Sequence, residues 1–129
     1  MSASVLIVED HSSIREPLAA LLRLKGHVVL EAEDGKDALA QLKMFPNPGL
    51  ILLDLMMPVM DGWTFLDRKS RDPAIARIPV VILSAVSNLH PPRQTPDIVA
   101  TVEKPIDMVA LLANVDKYCN AGFRRAASF

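Results

Sequence analysis

Apolar residues in this chain gather in five short runs with almost no polar alternation inside them. The runs cover residues 5–8, 27–31, 50–53, 80–83 and 98–102, and they are rich in Val, Leu and Ile. Uniformly apolar runs of this length are typical of strands that are covered on both faces, as in parallel sheets. The pattern therefore predicts a buried parallel sheet of five strands.

The segments between the runs carry apolar residues at helical spacing. Two helices are predicted over 13–25 and 35–44. The next begins near Asp61 and turns Phe65 and Leu66 inward, and the last covers 106–118. The segment 88–97 is different, because its three prolines remove amide donors and disfavour helical angles in the residues before them. We expect an α/β fold of five βα units with an irregular or shortened fourth helix.

Length and charge indicate the number of domains and exclude some classes of partner. The 129 residues suffice for one domain, which we place at 1–122, followed by a loose tail over 123–129. Fourteen Lys and Arg against 15 Asp and Glu give no general attraction to nucleic acid or to membranes, so neither is expected as a partner. The start of the chain lacks the pattern of a signal peptide, which favours a cytoplasmic location, and Cys119 is expected to be a packed thiol.

Polar residues follow the apolar runs at the points where the strands should end. Glu9 and Asp10 follow the first run, Asp54 the third, Ser84 the fourth and Lys104 the fifth. Because the carboxyl ends of parallel strands form the ligand crevice of such folds, these side chains are expected to converge. Crowded carboxylates repel one another unless a cation lies among them, and hard oxygen ligands favour Mg²⁺, with Asp10 and Asp54 as direct ligands.

The same residues suit phosphoryl transfer. That reaction asks a protein mainly to neutralise the phosphoryl oxygens, which Mg²⁺, the Lys104 ammonium and the Ser84 hydroxyl could do together. Asp54 would be the attacking nucleophile.

Four motifs in order resemble the receiver domains of two-component response regulators, and the resemblance covers nearly the whole chain. They are Val-Glu-Asp after the first strand, Asp54-Leu-Met-Met-Pro-Val-Met-Asp-Gly62, Ser84-Ala85 and Lys104-Pro105. The resemblance implies a flavodoxin-like doubly wound sheet of order 2-1-3-4-5 and a cis bond before Pro105. It also implies that Glu9 holds Mg²⁺ through a water and that Met56 offers its backbone carbonyl, with Mn²⁺ able to substitute.

The resemblance further implies a phosphoacceptor rather than an enzyme that acts on other molecules, and the single-domain length favours a stand-alone regulator. The phosphoryl donor would be a phosphohistidine on a sensor histidine kinase or a histidine phosphotransfer protein, and Ser84 would move toward the phosphoryl group. Partner binding would then switch. Met56 and Val86, both apolar, offer little help to an attacking water, so slow autodephosphorylation is expected.

Two departures keep another function open. Thr101 stands where the family usually has an aromatic switch residue, and the proline-rich segment falls in its usual output face. A protein-docking module that no longer depends on phosphorylation is therefore the main alternative.

Other site chemistries fit the sequence less well. A haloacid dehalogenase phosphohydrolase would need a second Asp where Met56 stands, and residues 9–13 lack the glycines of a dinucleotide site. His11 lies near the metal pocket but is expected to be a solvent-facing or structural residue, because hard cations prefer oxygen ligands.

Overall fold

Five parallel strands form one sheet, with helices on both of its faces. The computed structural model describes residues 4–45, 47–85 and 96–127. In these residues the strands are β1 (Ser4–Val8), β2 (Val28–Ala32), β3 (Leu50–Asp54), β4 (Val80–Ala85) and β5 (Ile98–Lys104). The helices are α1 (Ser12–Leu24), α2 (Gly35–Met44), α3 (Gly62–Ser70) and α4 (Met108–Ala127).

The strand order β2-β1-β3-β4-β5 confirms the predicted doubly wound topology. Each neighbouring pair runs parallel, so all five carboxyl ends lie at one edge of the sheet. The order reverses between β1 and β3, which is where ligands bind in open sheets of this kind. The peptide bond before Pro105 is cis, as the resemblance implied.

Alternation along the strands builds a separate core on each face of the sheet. In β1, Val5 and Ile7 contribute to one core, which also contains Leu18 of α1 and Leu111 of α4. Leu6 and Val8 contribute to the other core, together with side chains of α2 and α3. Because both faces of β1 and β3 are covered, these strands carry almost no polar residues, which explains the uniformly apolar runs in the sequence.

The end of the chain differs from the prediction. Residues 123–127 continue α4, so the expectation of a loose tail is wrong for them, while 128–129 lie outside the described residues. Residues 123–127 contain two Arg and two Ala, which favour a helix, and no proline that would stop it. The boundary at residue 122 stays a prediction. Within the described part of the chain, no helix is both long and apolar enough to span a membrane.

The proline-rich segment falls mostly outside the described residues. Of the predicted irregular region 88–97, only residues 96 and 97 are described, and they form a turn that leads into β5. Within α1, Pro17 is the sixth residue, and its missing amide removes one internal hydrogen bond of the helix.

A buried ion pair fixes the entrance of β5. Lys69 of α3 is completely buried, and its Nζ donates to Asp97 Oδ2 at 2.7 Å and to the carbonyl of Ala76 at 2.9 Å. Burial lowers the pKa of Lys69, and Asp97 opposes that shift. The hydrogen bonds of Lys69 therefore connect α3, the loop before β4 and the turn that leads into β5.

Replacing Lys69 by Met should destabilise the protein strongly. The substitution keeps most of the side-chain volume but leaves the Asp97 carboxylate without its ammonium in a buried setting, which typically costs about 3–5 kcal/mol. Urea denaturation measures the loss. Lys43→Met, on the exposed surface of α2, is the matched control and should change stability by less than about 0.5 kcal/mol; similar losses in both variants would contradict the assignment.

Candidate functional site

The strand register brings the predicted polar residues to one edge of the sheet. Val8 pairs with Leu53, so Glu9 and Asp54 continue the same two neighbouring strands. Asp54 in turn pairs with Leu83, the residue before Ser84. On the far side of β4, Ala85 pairs with Lys104. Four residues that are distant along the chain therefore belong to consecutive strand ends, in the order required by the topology.

Lys104 lies between two of the carboxylates. Its Nζ donates to Glu9 Oε1 at 2.7 Å and lies 3.3 Å from Asp54 Oδ1. The side chains of Glu9 and Asp54 are 0% and 4% exposed, whereas that of Lys104 is 20% exposed. Among the described residues, one ammonium thus pairs with two buried carboxylates, which leaves an excess of negative charge inside this part of the site.

Burial and the neighbouring carboxylate both favour the protonated form of Glu9. Burial is the largest influence and raises the pKa of Glu9 to about 8; the neighbouring Asp54 adds to the rise and Lys104 opposes it. Burial alone would lower the pKa of Lys104, but Glu9 and Asp54 together raise it above its usual value. The fold therefore holds the carboxylates closer together than they would lie in water.

Two buried carboxylate oxygens point into this cluster without a hydrogen-bond partner among the described residues. They are Glu9 Oε2 and Asp10 Oδ1. Ligand atoms of Glu9, Asp10, His11 and Asp54 all lie within 4.8 Å of one another. Because unpartnered buried carboxylate oxygens are costly and are the donors that Mg²⁺ prefers, the residues present fit a divalent cation.

Hydrogen bonds and a close helix approach hold the loop after Asp54 in place. The backbone amide of Met56 donates to Asp54 Oδ1 at 3.3 Å. Asp61 caps α3 by accepting from the Thr64 amide at 2.8 Å. A Cβ at Gly62 would come within 2.8 Å of the Asp54 carbonyl oxygen, so only glycine allows α3 to start this close to β3.

The structure also gives the positions of other residues that the sequence analysis singled out. Ser84 is buried near the end of β4, and Met56 is exposed in the loop that follows Asp54. Thr101 is exposed on β5, paired with Ile82. Val86, invoked for slow autodephosphorylation, lies outside the described residues. Cys119 is buried in the core beside α1, and burial raises its pKa to about 11, as expected for a packed thiol.

Sequence reasoning missed one residue that supports the site, Arg15, and expected only a structural or solvent-facing role for a second, His11. Arg15 of α1 donates from Nη1 to the backbone carbonyl of Glu9 at 2.7 Å and from Nε to Glu31 at 3.4 Å, so it fixes the end of β1. His11 lies with Nδ1 at 3.3 Å from Asp10 Oδ1. A basic residue one turn into a helix carries no distinguishing mark in the sequence, whereas His11 was visible as a neighbour of Asp10.

Comparison with known proteins identifies the family. The model of the response regulator receiver domain matches residues 5–116. This chain belongs to the response regulator receiver domain family. The receiver domain is 32% identical over 117 residues to Protein Rrf1 of Nitratidesulfovibrio vulgaris, an alignment that covers 91% of this chain and 83% of that protein.

Two further similarities place the receiver domain among its relatives. It is 36% identical over 113 residues to the DNA-binding dual master transcriptional regulator RpaA of Synechocystis sp., covering 86% of this chain and 46% of RpaA. The chain thus spans less than half of that relative's length. The crystal structure of the receiver domain from the hybrid histidine kinase CckA matches with a TM-score of 0.74 and 30% identity, covering 91% of this chain and 99% of that one.

Membership of the family carries general properties. Receiver domains are signalling domains of two-component systems that are phosphorylated on an aspartate and interact with histidine kinases or phosphotransfer proteins. They bind Mg²⁺ at an acidic pocket, and in this receiver domain Glu9, Asp10 and Asp54 lie close together.

The raised pKa of Glu9 predicts a pH dependence of stability in the absence of divalent cations. Between about pH 4.5, the ordinary pKa, and about pH 8, the folded protein holds a proton on Glu9 that the unfolded chain releases. The free energy of unfolding should therefore fall as the pH rises through this window. Urea denaturation in a chelator at about pH 5 and about pH 8 measures the fall.

Glu9→Gln is the control for this effect, because it is neutral at both pH values. The variant should lose less stability than the native protein over the same window. An identical loss in both proteins would show that Glu9 does not hold the extra proton.

Proposed function

We propose that this receiver domain accepts a phosphoryl group on Asp54, in a Mg²⁺-dependent reaction, from a phosphohistidine on a sensor histidine kinase or phosphotransfer protein. One observation carries the proposal. The buried Asp54 carboxylate lies between the Lys104 ammonium and a cluster of carboxylate oxygens that fits a divalent cation. This arrangement places a nucleophile next to groups that neutralise phosphoryl charge.

In the proposed reaction, an Asp54 carboxylate oxygen attacks phosphorus, and the bond from phosphorus to the donor imidazole nitrogen breaks as the new O–P bond forms. The imidazole leaves with the bonding electron pair and takes up a proton. Lys104 and Ser84 stabilise the phosphoryl oxygens, while the Met56 amide helps to orient the acceptor carboxylate. Asp10 and Asp54 would ligate the metal directly, with the Met56 carbonyl and, through water, Glu9; bound Mg²⁺, or Mn²⁺ in its place, would neutralise the phosphoryl oxygens.

Lys104 connects the acceptor to the rest of the sheet. The ammonium bonds to Glu9 on β1, lies beside Asp54 on β3 and belongs to β5 itself. A new phosphoryl group on Asp54 would compete with Glu9 for this ammonium. Through this competition, phosphorylation could alter β5 and the partner surface beside it. The proposed movement of Ser84 would add to that change.

The proposed chemistry is confined to the domain's own aspartate, and the proposed partners are proteins. The domain would catalyse only its own phosphorylation and slow dephosphorylation, act as a stand-alone regulator in the cytoplasm, and switch a downstream protein target. RpaA is a DNA-binding regulator of which this chain spans 46%, so the absence of nucleic-acid contacts is proposed for the receiver domain alone, whose charges are balanced.

A second candidate is a docking module whose partner binding ignores phosphorylation. The exposed Thr101 on β5 favours it, because a threonine cannot undergo the rotation proposed for an aromatic ring at this position. Equal partner affinity before and after phosphorylation would support this candidate over the switch.

Incubation with Mg²⁺ and acetyl phosphate should add one phosphoryl mass to the intact protein. Asp54→Asn should remove the gain, because an amide cannot act as the nucleophile. Asp61→Asn is a matched control, since Asn caps a helix about as well as Asp and residue 61 lies in the same loop. Intact-mass spectrometry reads all three proteins; a full gain in Asp54→Asn would contradict the proposal.

The phosphorylated form should persist for minutes or longer, and Met56→Asn should shorten its lifetime. A polar side chain beside the acceptor can orient an attacking water, which a thioether does poorly. Met44→Asn, an equally polar change at an exposed site on α2, should leave the lifetime unchanged. Decay followed by mass spectrometry after rapid removal of acetyl phosphate gives the lifetimes, and decay within seconds or equal lifetimes would refute the expectation.

A further inference from the structure

The side chain of His11 lies beside the acidic cluster and does not cap the helix that His11 precedes. His11 is the N-cap residue of α1, a position where Ser, Thr, Asp or Asn usually accepts a hydrogen bond from the first helical turn. Its side chain makes no such bond. The backbone carbonyl of His11 accepts from the Ile14 and Arg15 amides, so the helix begins normally without the imidazole.

The imidazole nitrogen faces the two carboxylate oxygens that have no hydrogen-bond partner among the described residues. His11 Nδ1 lies 3.3 Å from Asp10 Oδ1 and 3.9 Å from Glu9 Oε2. Glu9 is completely buried, so its unpartnered oxygen cannot turn to solvent. One nitrogen and the unpaired oxygens of two carboxylates therefore surround the same small space.

We propose that His11 is an additional metal ligand, which allows the acidic cluster to bind a divalent transition cation of the zinc class as well as Mg²⁺. Imidazole is a good ligand for Zn²⁺ and Ni²⁺ but a poor one for Mg²⁺, which prefers oxygen atoms alone. Glu9, Asp10 and Asp54 supply the oxygens for either ion, whereas His11 raises the affinity only for the transition ion. His11 thus determines metal specificity in the proposed phosphoacceptor site, on which this inference rests.

The exposure of His11 is compatible with this role. Its side chain is 62% exposed, whereas Glu9 is buried and Asp10 is 21% exposed. The imidazole therefore forms the solvent side of the cluster, where it can ligate an entering ion without rearrangement of the sheet. The buried thiol of Cys119 lies in the core next to α1 and does not compete for the ion.

Calorimetric titrations of the tag-free protein with Zn²⁺ and with Mg²⁺ test the proposal. His11→Ala should weaken Zn²⁺ binding about tenfold or more and change Mg²⁺ binding by less than about twofold. Ser13→Ala is the matched control on the exposed start of α1 and should leave both affinities unchanged. Equal Zn²⁺ affinity in His11→Ala and the native protein would overturn the proposal.

Nitrogen NMR of the histidine side chains supplies a readout that a purely structural role would not produce. Zn²⁺ should shift Nδ1 of His11 as a directly bound nitrogen, while Mg²⁺ should not. A Zn²⁺ shift confined to His27, which lies 3.6 Å from Asp116 at another place in the fold, would also overturn the proposal. If the native protein binds no Mg²⁺, the proposed phosphoacceptor mechanism fails, and the Zn²⁺ titrations still decide the role of His11.

Discussion

Among the described residues, three carboxylates (Glu9, Asp10 and Asp54) and one ammonium (Lys104) meet at the carboxyl edge of the sheet, and the rest of the site depends on that imbalance of charge. Glu9 and Asp54 both draw on Lys104, while Glu9 Oε2 and Asp10 Oδ1 have no partner among the described residues. In the absence of a cation, the fold meets the cost partly by keeping a proton on Glu9, whose pKa is about 8. A divalent cation would replace that proton and satisfy the unpartnered oxygens.

The sheet makes this arrangement possible because its central strands are buried and apolar on both faces. β1 and β3 carry the carboxylates at their ends, and each is buried between two layers of helices. The close approach of α3 at Gly62 and the hydrogen bond from Arg15 to the Glu9 carbonyl hold the two strand ends in place. The charges therefore cannot relax apart without disturbing the packing of both cores.

Much of this could be predicted from the sequence, since hydrophobic periodicity and strand-end polarity are local signals. The five apolar runs located every strand to within two residues. The polar residues that follow the runs indicated which side chains meet at the strand ends. The family resemblance gave the strand order. Contacts between distant side chains were not predictable: nothing in the sequence marks Lys69 as the buried partner of Asp97 or Arg15 as the support of Glu9. The sequence prediction ended the last helix at residue 118, where the apolar spacing stops, but α4 continues to Ala127. Its last residues favour a helix by their intrinsic propensity, without an apolar stripe.

The stability of Asp10→Asn with and without Mg²⁺ tests the central claim of charge crowding most directly. Asp10 Oδ1 has no hydrogen-bond partner to lose among the described residues, so neutralising it should relieve repulsion and make the metal-free variant more stable than the native protein. Mg²⁺ should stabilise the native protein and leave the variant nearly unchanged. A metal-free variant that is less stable than the native protein, with Mg²⁺ stabilising both equally, would contradict the account.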